Sequence, residues 1–241
     1  MMANFLYINP NKGILKDQAT RTAVLQAIDL DAIVEQTYFG RGEKGAQIYP
    51  PYVLPAEYAK QSVTHDPSAL TKLAAGLAPD QKSMTVGYDT SNPDAQLISN
   101  LVQTQLASVG ITAKVQGYPT SEIYAWIGGD MQSAPDIMSM QVWPDAPSPY
   151  TWGHISWDAD GGLNYLGCSS PRVTDALARG LVSASQAVFS EAGNEASATG
   201  CWMNVADVDD FVVAQPWLKG VEQAHALSNP NSLRIAALSV G

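Results

Sequence analysis

The residues best equipped for chemistry gather between positions 143 and 157, where Trp143-Pro144-Asp145-Ala146-Pro147-Ser148-Pro149-Tyr150-Thr151-Trp152 is followed by Trp157. Three prolines and four aromatic rings around one carboxylate read as a stiff turn with apolar walls. Such a turn can clamp a ligand, Asp145 pairing with a cation while Trp143, Tyr150 and Trp152 pack the apolar body. It can equally be a well-packed proline-rich loop with no ligand.

Other chemistries are poorly supplied. A serine hydrolase of the elbow type needs Gly-x-Ser-x-Gly on a strand-to-helix turn, and the sequence holds no such pentapeptide. His65, His154 and His225 have no nucleophile paired with them in sequence and read as surface or loop residues. His154, Asp158 and Asp160 could be strung together as ligands, but their spacing fits neither a helical His-x-x-x-His site nor an EF-hand loop. No metal and no cofactor is therefore expected, and nothing demands an enzyme. Asp207, Asp209 and Asp210 read as a solvated turn. Residues 40–45, Gly-Arg-Gly-Glu-Lys-Gly, spell GxGxxG, yet a helical pattern precedes them and Pro50-Pro51 follows. They lack the strand-to-helix context that aims N–H groups at a pyrophosphate, and read as a surface loop. Cys168 and Cys201 fit no CxxC pattern, which leaves them either as buried small hydrophobes or as a bridge.

The elements that must position these residues follow from periodicity and caps. A strand over Asn4 to Asn9 precedes a helix capped by Asp17, with Ala23, Val24, Ala27 and Ile28 on one stripe, and then a helix over Asp31 to Tyr38 stopped by Gly40. From Asp66 the pattern alternates: a helix through Ala75, a strand over Met84 to Tyr88, and a helix capped at Asn92 with Leu97, Ile98, Leu101, Val102, Leu106 and Val109 on one face. A strand over Ile111 to Tyr118, a helix over Pro119 to Ile127 and a strand over Asp136 to Trp143 complete the run. Strand-helix-strand repeats predict an α/β fold whose mainly parallel sheet is flanked by helices, with its ligand site in the loops after the strand ends. Helices over Ser170 to Val182 and Gln186 to Ala198, a buried strand over Phe211 to Ala214 and a short element over Leu233 to Leu238 follow.

The chain has 241 residues and a formal net charge of −10, with 46% hydrophobic and 15% charged residues. This acidic balance excludes the basic footprint of a nucleic-acid binder and disfavours anionic membrane surfaces. No apolar run approaches the roughly 18 residues of a membrane span. The opening MMANFLYINPNK lacks the features of a secretory signal, so the sequence reads as a cytosolic chain, a mature chain or an excised segment.

The segments Phe5-Leu6-Tyr7-Ile8-Asn9, Lys16-Asp17-Gln18-Ala19-Thr20-Arg21-Thr22-Ala23-Val24 and Ala27-Ile28-Asp29, with the Gly40 to Gly45 loop and Pro50-Pro51, resemble the family-5 extracellular solute-binding proteins of ABC importers. These are the dipeptide-, oligopeptide- and nickel-binding group. The likeness continues through Gln96 to Gly110, Ile111-Thr112-Ala113-Lys114-Val115, Asn164, Ser169-Ser170-Pro171 and Asp175-Ala176-Leu177. It implies a periplasmic-binding-protein-like lobe, type II-like, spanning 1–241 and corresponding to the second, C-terminal ligand-binding lobe, with the first lobe and signal absent. In peptide-binding members an Asp in a W-x-x-D-x-x-x-P loop receives the ligand's α-ammonium. Asp145 matches it, with Pro149 four positions on and Trp143 two positions before. The resemblance thus implies a small-molecule or peptide ligand held by Asp145, Trp143, Trp152, Tyr150 and Asn164, a permease partner, no nucleic acid, a monomer, and work outside the cytoplasmic membrane. That compartment favours a Cys168–Cys201 bridge. An oligosaccharide receptor of the same family and a stand-alone interaction module are the competing readings. Competition between a saccharide and peptides would favour the former, and a coding region without a first lobe the latter.

Overall fold

Local capping chemistry sets the helix starts in this computed structural model, which describes residues 2–45, 47–58, 63–143, 146–209, 213–224 and 234–241. In chain order its principal elements are β1 (Met2–Ile8), α1 (Gln18–Gln26), α2 (Leu30–Tyr38), β2 (Gly42–Lys44), α3 (Ser68–Gly76), β3 (Ser83–Asp89), α4 (Pro93–Ser108) and β4 (Thr112–Tyr118). They continue with α5 (Thr120–Ala125), β5 (Ile137–Val142), α6 (Pro149–Trp157), α7 (Pro171–Ser183), α8 (Gln186–Ala198) and β6 (Trp202–Val208). Asp17 accepts from the Thr20 N–H at 2.8 Å and Asp29 from the Ala32 N–H at 3.1 Å, satisfying donors that the first turns of α1 and α2 leave unpaired. Asn92 does the same for α4, accepting from Asp94 and Ala95 at 3.0 and 3.3 Å.

The six principal strands form one sheet in the order β2-β6-β1-β5-β3-β4. Alternation sends the two faces of each strand into separate cores: Phe5 and Tyr7 pack with α5 to α8, while Leu6 and Ile8 pack with α1 to α4. The result is a central sheet flanked by helices, an α/β lobe. Parallel pairing holds for β3 with β4 and β3 with β5, the three strands linked by helical crossovers. The remaining pairs, β1 with β5, β1 with β6 and β2 with β6, are antiparallel, so the sheet is mixed rather than mainly parallel. Their directions are set by long returns of the chain from either end, which strand-helix-strand counting does not see.

Three further expectations are corrected. Residues 42–44 of the glycine-rich stretch form an edge strand rather than a loop, and Gly45 beside it serves close packing. A Cβ at Gly45 would overlap the Asn204 backbone carbonyl. The proline-rich stretch after β5 turns into helix α6, where Ser148 Oγ accepts from the Thr151 N–H at 3.3 Å and Pro149 takes the first helical position. Among the described residues the last strand of the sheet is β6; of the strand expected over 211–214, Val213 and Ala214 are not in a strand and Val213 is 86% exposed, while Phe211 and Val212 lie outside the described residues, as does His225. Residues 235–237 form a short 3-10 turn, and Leu218–Lys219 pairs with Ser239–Val240 in a separate small ladder.

Candidate functional site

The carboxyl ends of β3, β4 and β5 and the start of β1 lie together, Ala3 pairing with Val142 and Asp89 with Tyr118. Parallel strands that feed helices leave a crevice at this end. Here it is a cleft of about 690 Å³, within the usual range for a small-ligand site. Asp89 ends β3 and Ser91, Asn92 and Pro93 lead into α4; Thr120 and Tyr124 of α5 form one side. Met140, Gln141, Val142 and Trp143 come from β5 and its end, and Ile155, Gly162, Leu163 and Tyr165 from α6 and the loop beyond.

Asp89 is 5% exposed. Its Oδ1 accepts from the Ser91 N–H at 2.9 Å and the Ser91 hydroxyl at 2.8 Å, and the Thr120 hydroxyl lies 3.0 Å from both carboxylate oxygens. Tyr165 is buried and meets Tyr7 and Tyr124 edge-on, with ring centroids 5.4 and 5.5 Å apart. Burial pushes the Tyr165 and Tyr7 phenols far above their ordinary range, so both remain neutral O–H groups. The cleft therefore joins an aromatic wall to a small hydrogen-bonded polar end.

The residues expected at the site are not all brought together. Trp143 lines the cleft and is 41% exposed. Asp145 lies outside the described residues. Trp152 does not face the cleft: α6 buries it to 1% exposure against Phe5, with ring centroids 5.8 Å apart. Asn164 is 2% exposed, and its side chain is spent internally. Its amide donates to the Asp158 and Cys168 carbonyls at 2.9 and 2.7 Å and its oxygen accepts from the Cys168 N–H at 3.1 Å, which shapes a loop. Tyr150 stacks on His154, centroids 5.6 Å apart, beside a different and smaller hollow. There His154, Asp158 and Asp160 offer atoms within 4.8 Å of one another, but Asp158 already binds His154 Nδ1 at 2.7 Å and the Thr174 hydroxyl at 2.6 Å. Cys168 and Cys201 are joined by a disulfide, which ties this loop to the turn before β6.

Sequence reading missed Asp89, Thr120, Tyr124 and Tyr165. The available signal was positional, since Asp89 is the last residue of one parallel strand and Thr120 lies two positions past the end of its neighbour. No histidine lines the cleft among the described residues, and the hydroxyls of Ser91 and Thr120 both donate to the Asp89 carboxylate. The arrangement offers hydrogen-bond donors, a carboxylate and aromatic rings to the cleft.

An α/β lobe with such a crevice at its strand ends is an architecture able to take a small ligand, and comparison with known proteins gives the family. Residues 1–163 match the model for bacterial extracellular solute-binding proteins, family 5 middle, and the chain belongs to that family. It is 32% identical over 124 residues to the dipeptide-binding protein of Escherichia coli, covering 49% of this chain and 23% of the relative. It is 23% identical over 232 residues to the probable di/tripeptide-binding protein 5 of Pseudomonas aeruginosa, covering 92% and 43%. The chain thus spans less than half the length of these two curated relatives. The putative peptide binding protein AppA of Clostridium difficile shares the fold with a TM-score of 0.78 at 15% identity, over 100% of this chain and 51% of that one. OppA of Haemophilus influenzae, solved with the peptide RPPGFSPFR, also gives 0.78, at 14% identity over 100% and 48%.

Proposed function

We propose that this chain is the ligand-binding lobe of an extracytoplasmic receptor that captures a short peptide in the cleft at the strand ends and presents it to the permease of an ABC importer. The observation that carries this reading is the cleft itself, in which Trp143 and Tyr124 expose ring surface beside buried Asp89 and its hydrogen-bond partners Ser91 and Thr120. A peptide offers both kinds of surface that such a wall can meet, apolar side chains for the rings and polar main chain or charged ends for the donors and carboxylate. Family membership and the names of the curated relatives support a peptide in particular. Asp145, four positions before Pro149 in the sequence, receives a ligand cation in this reading, through a charge-assisted bond worth roughly 1.5–3 kcal/mol. A second lobe, in a longer protein, closes over the open side by hinge motion. The receptor works as a monomer and converts nothing.

The test is to record backbone amide NMR spectra of the 241-residue chain with and without a mixture of di- and tripeptides. Shifts grouped on residues 89–93, 120–124, 140–143 and 163–165 are expected. Saturating peptide that leaves these amides unmoved, or moves a different surface, overturns the assignment.

A further inference from the structure

At the polar end of the cleft, no countercharge faces the Asp89 carboxylate among the described residues. Among the described residues the ion pairs are Lys44 with Asp31, His154 with Asp158, Arg172 with Glu195, and Arg179 with Asp175 and Glu191; Asp89 belongs to none. No Lys, Arg or His among the described residues lines the cleft. The groups that touch Asp89, the Ser91 N–H and the Ser91 and Thr120 hydroxyls, are neutral donors. They satisfy lone pairs without supplying positive charge, and burying a carboxylate in that state is costly.

The local turn does not explain the charge. Oδ1 closes the turn onto Ser91, and an asparagine oxygen at this position would accept the same two bonds. Oδ2 has only the hydroxyl of Thr120, which it shares with Oδ1, so it keeps acceptor capacity at the cleft wall. The second oxygen and its charge are thus surplus to the fold. In a cavity walled by Tyr124, Tyr165 and Trp143 an added cation would meet that charge with little water between them.

We propose that Asp89 is a cation-receiving subsite, which binds a ligand ammonium or guanidinium group and makes the cleft select ligands that carry one. The proposal rests on the reading of this cleft as a peptide site, and two sources of the cation are open to it: the peptide's terminal ammonium or a basic side chain. A ligand carboxylate placed at this end would meet like charge and is rejected.

The test compares matched tripeptides by affinity: Ala-Ala-Ala free against N-acetylated, and Ala-Lys-Ala against the same peptide with norleucine in place of lysine. The cationic member of at least one pair is expected to bind at least about tenfold more tightly, the pair identifying the source. Asp89→Asn should reduce that ratio to less than about threefold. The side-chain carboxyl ¹³C resonance of Asp89 in the unaltered protein should move on addition of the cationic peptide. An undiminished ratio in a folded D89N protein, or no discrimination in either pair, overturns the proposal. If D89N does not fold, the Asp89 resonance decides: movement sustains the subsite and stillness refutes it. If no peptide binds at all, the peptide reading fails separately, and n-butylammonium serves as the probe. A saturable shift of the Asp89 resonance then sustains the cation subsite, and none overturns it.

Discussion

Asp207 lies in β6 with 6% of its surface exposed, and its Oδ1 stands 3.1 Å from the Asn204 amide nitrogen. Burial above all, against the downward pull of the Asn204 hydrogen bond and with a further push from Glu43 on the neighbouring strand, raises its carboxyl to about 7. The solvated turn expected of this residue is therefore replaced by a strand interior. Because the folded pKa lies above the unfolded value, the native state holds the proton more tightly. Stability attached to this group is full below pH 4, falls as pH rises towards 7 and is flat beyond, by at most about 4 kcal/mol. Asp207→Asn keeps an oxygen for Asn204 and has no charge to bury. Urea denaturation at pH 4.5 and pH 7.5 should show D207N gaining on the unaltered protein by about 2 kcal/mol or more between the two. An equal gap at both pH values would refute the buried titration.

Helices α6, α7 and α8 cover one face of the sheet, and small residues let them approach. A Cβ at Gly153 of α6 would overlap the Leu177 Cδ2 methyl of α7, and one at Gly180 of α7 would crowd the Phe189 ring of α8. Leu177 is itself buried, so moving its methyl aside disturbs the packing between the two helices. Replacing glycine by alanine in a helix ordinarily stabilises by about 1 kcal/mol. At Gly153 overpacking should outweigh that gain, and Gly153→Ala should lower unfolding free energy by about 1–3 kcal/mol in chemical denaturation. A stabilised G153A would mean that α6 and α7 are not packed this closely. At this scale the starts of α1 and α4 were legible because Asp17 and Asn92 bond within their own first turns. Helix α6 was not, although Ser148 and Pro149 signal a start. Its sequence Pro-Tyr-Thr-Trp-Gly-His-Ile-Ser-Trp is apolar on several sides, with Trp152 and Trp157 both buried, and no single stripe of period 3.6 emerges. Strand β6 was missed for the related reason that every one of its seven residues is buried, so polar Asn204 and Asp207 break the apolar run without marking a solvent face.

The whole molecule carries a net charge of −10, and its cleft is lined by Asp89 without a basic side chain among the described residues. Such a field steers cations inward and is screened by salt. The association rate of a lysine-containing tripeptide should therefore fall at least about threefold between 10 and 300 mM salt, while that of its N-acetylated, C-amidated norleucine counterpart, which carries no net charge, changes little. Equal salt dependence in stopped-flow fluorescence would mean that charge does not guide capture. What the sequence by itself determined is what neighbours in the chain decide: the helix caps, the strand-helix-strand run from residue 83 to 142, the acidic balance and the family likeness. The tertiary structure alone decided which strands pair and in which direction, because β1 meets β5 and β6 across more than a hundred residues and no local pattern encodes that register. It decided the lining of the cleft for the same reason. Trp152 and Asn164 have the right chemistry for a ligand, but α6 turns one into the core and the loop around Cys168 consumes the other, whereas Asp89 becomes a candidate contact only once three strand ends converge.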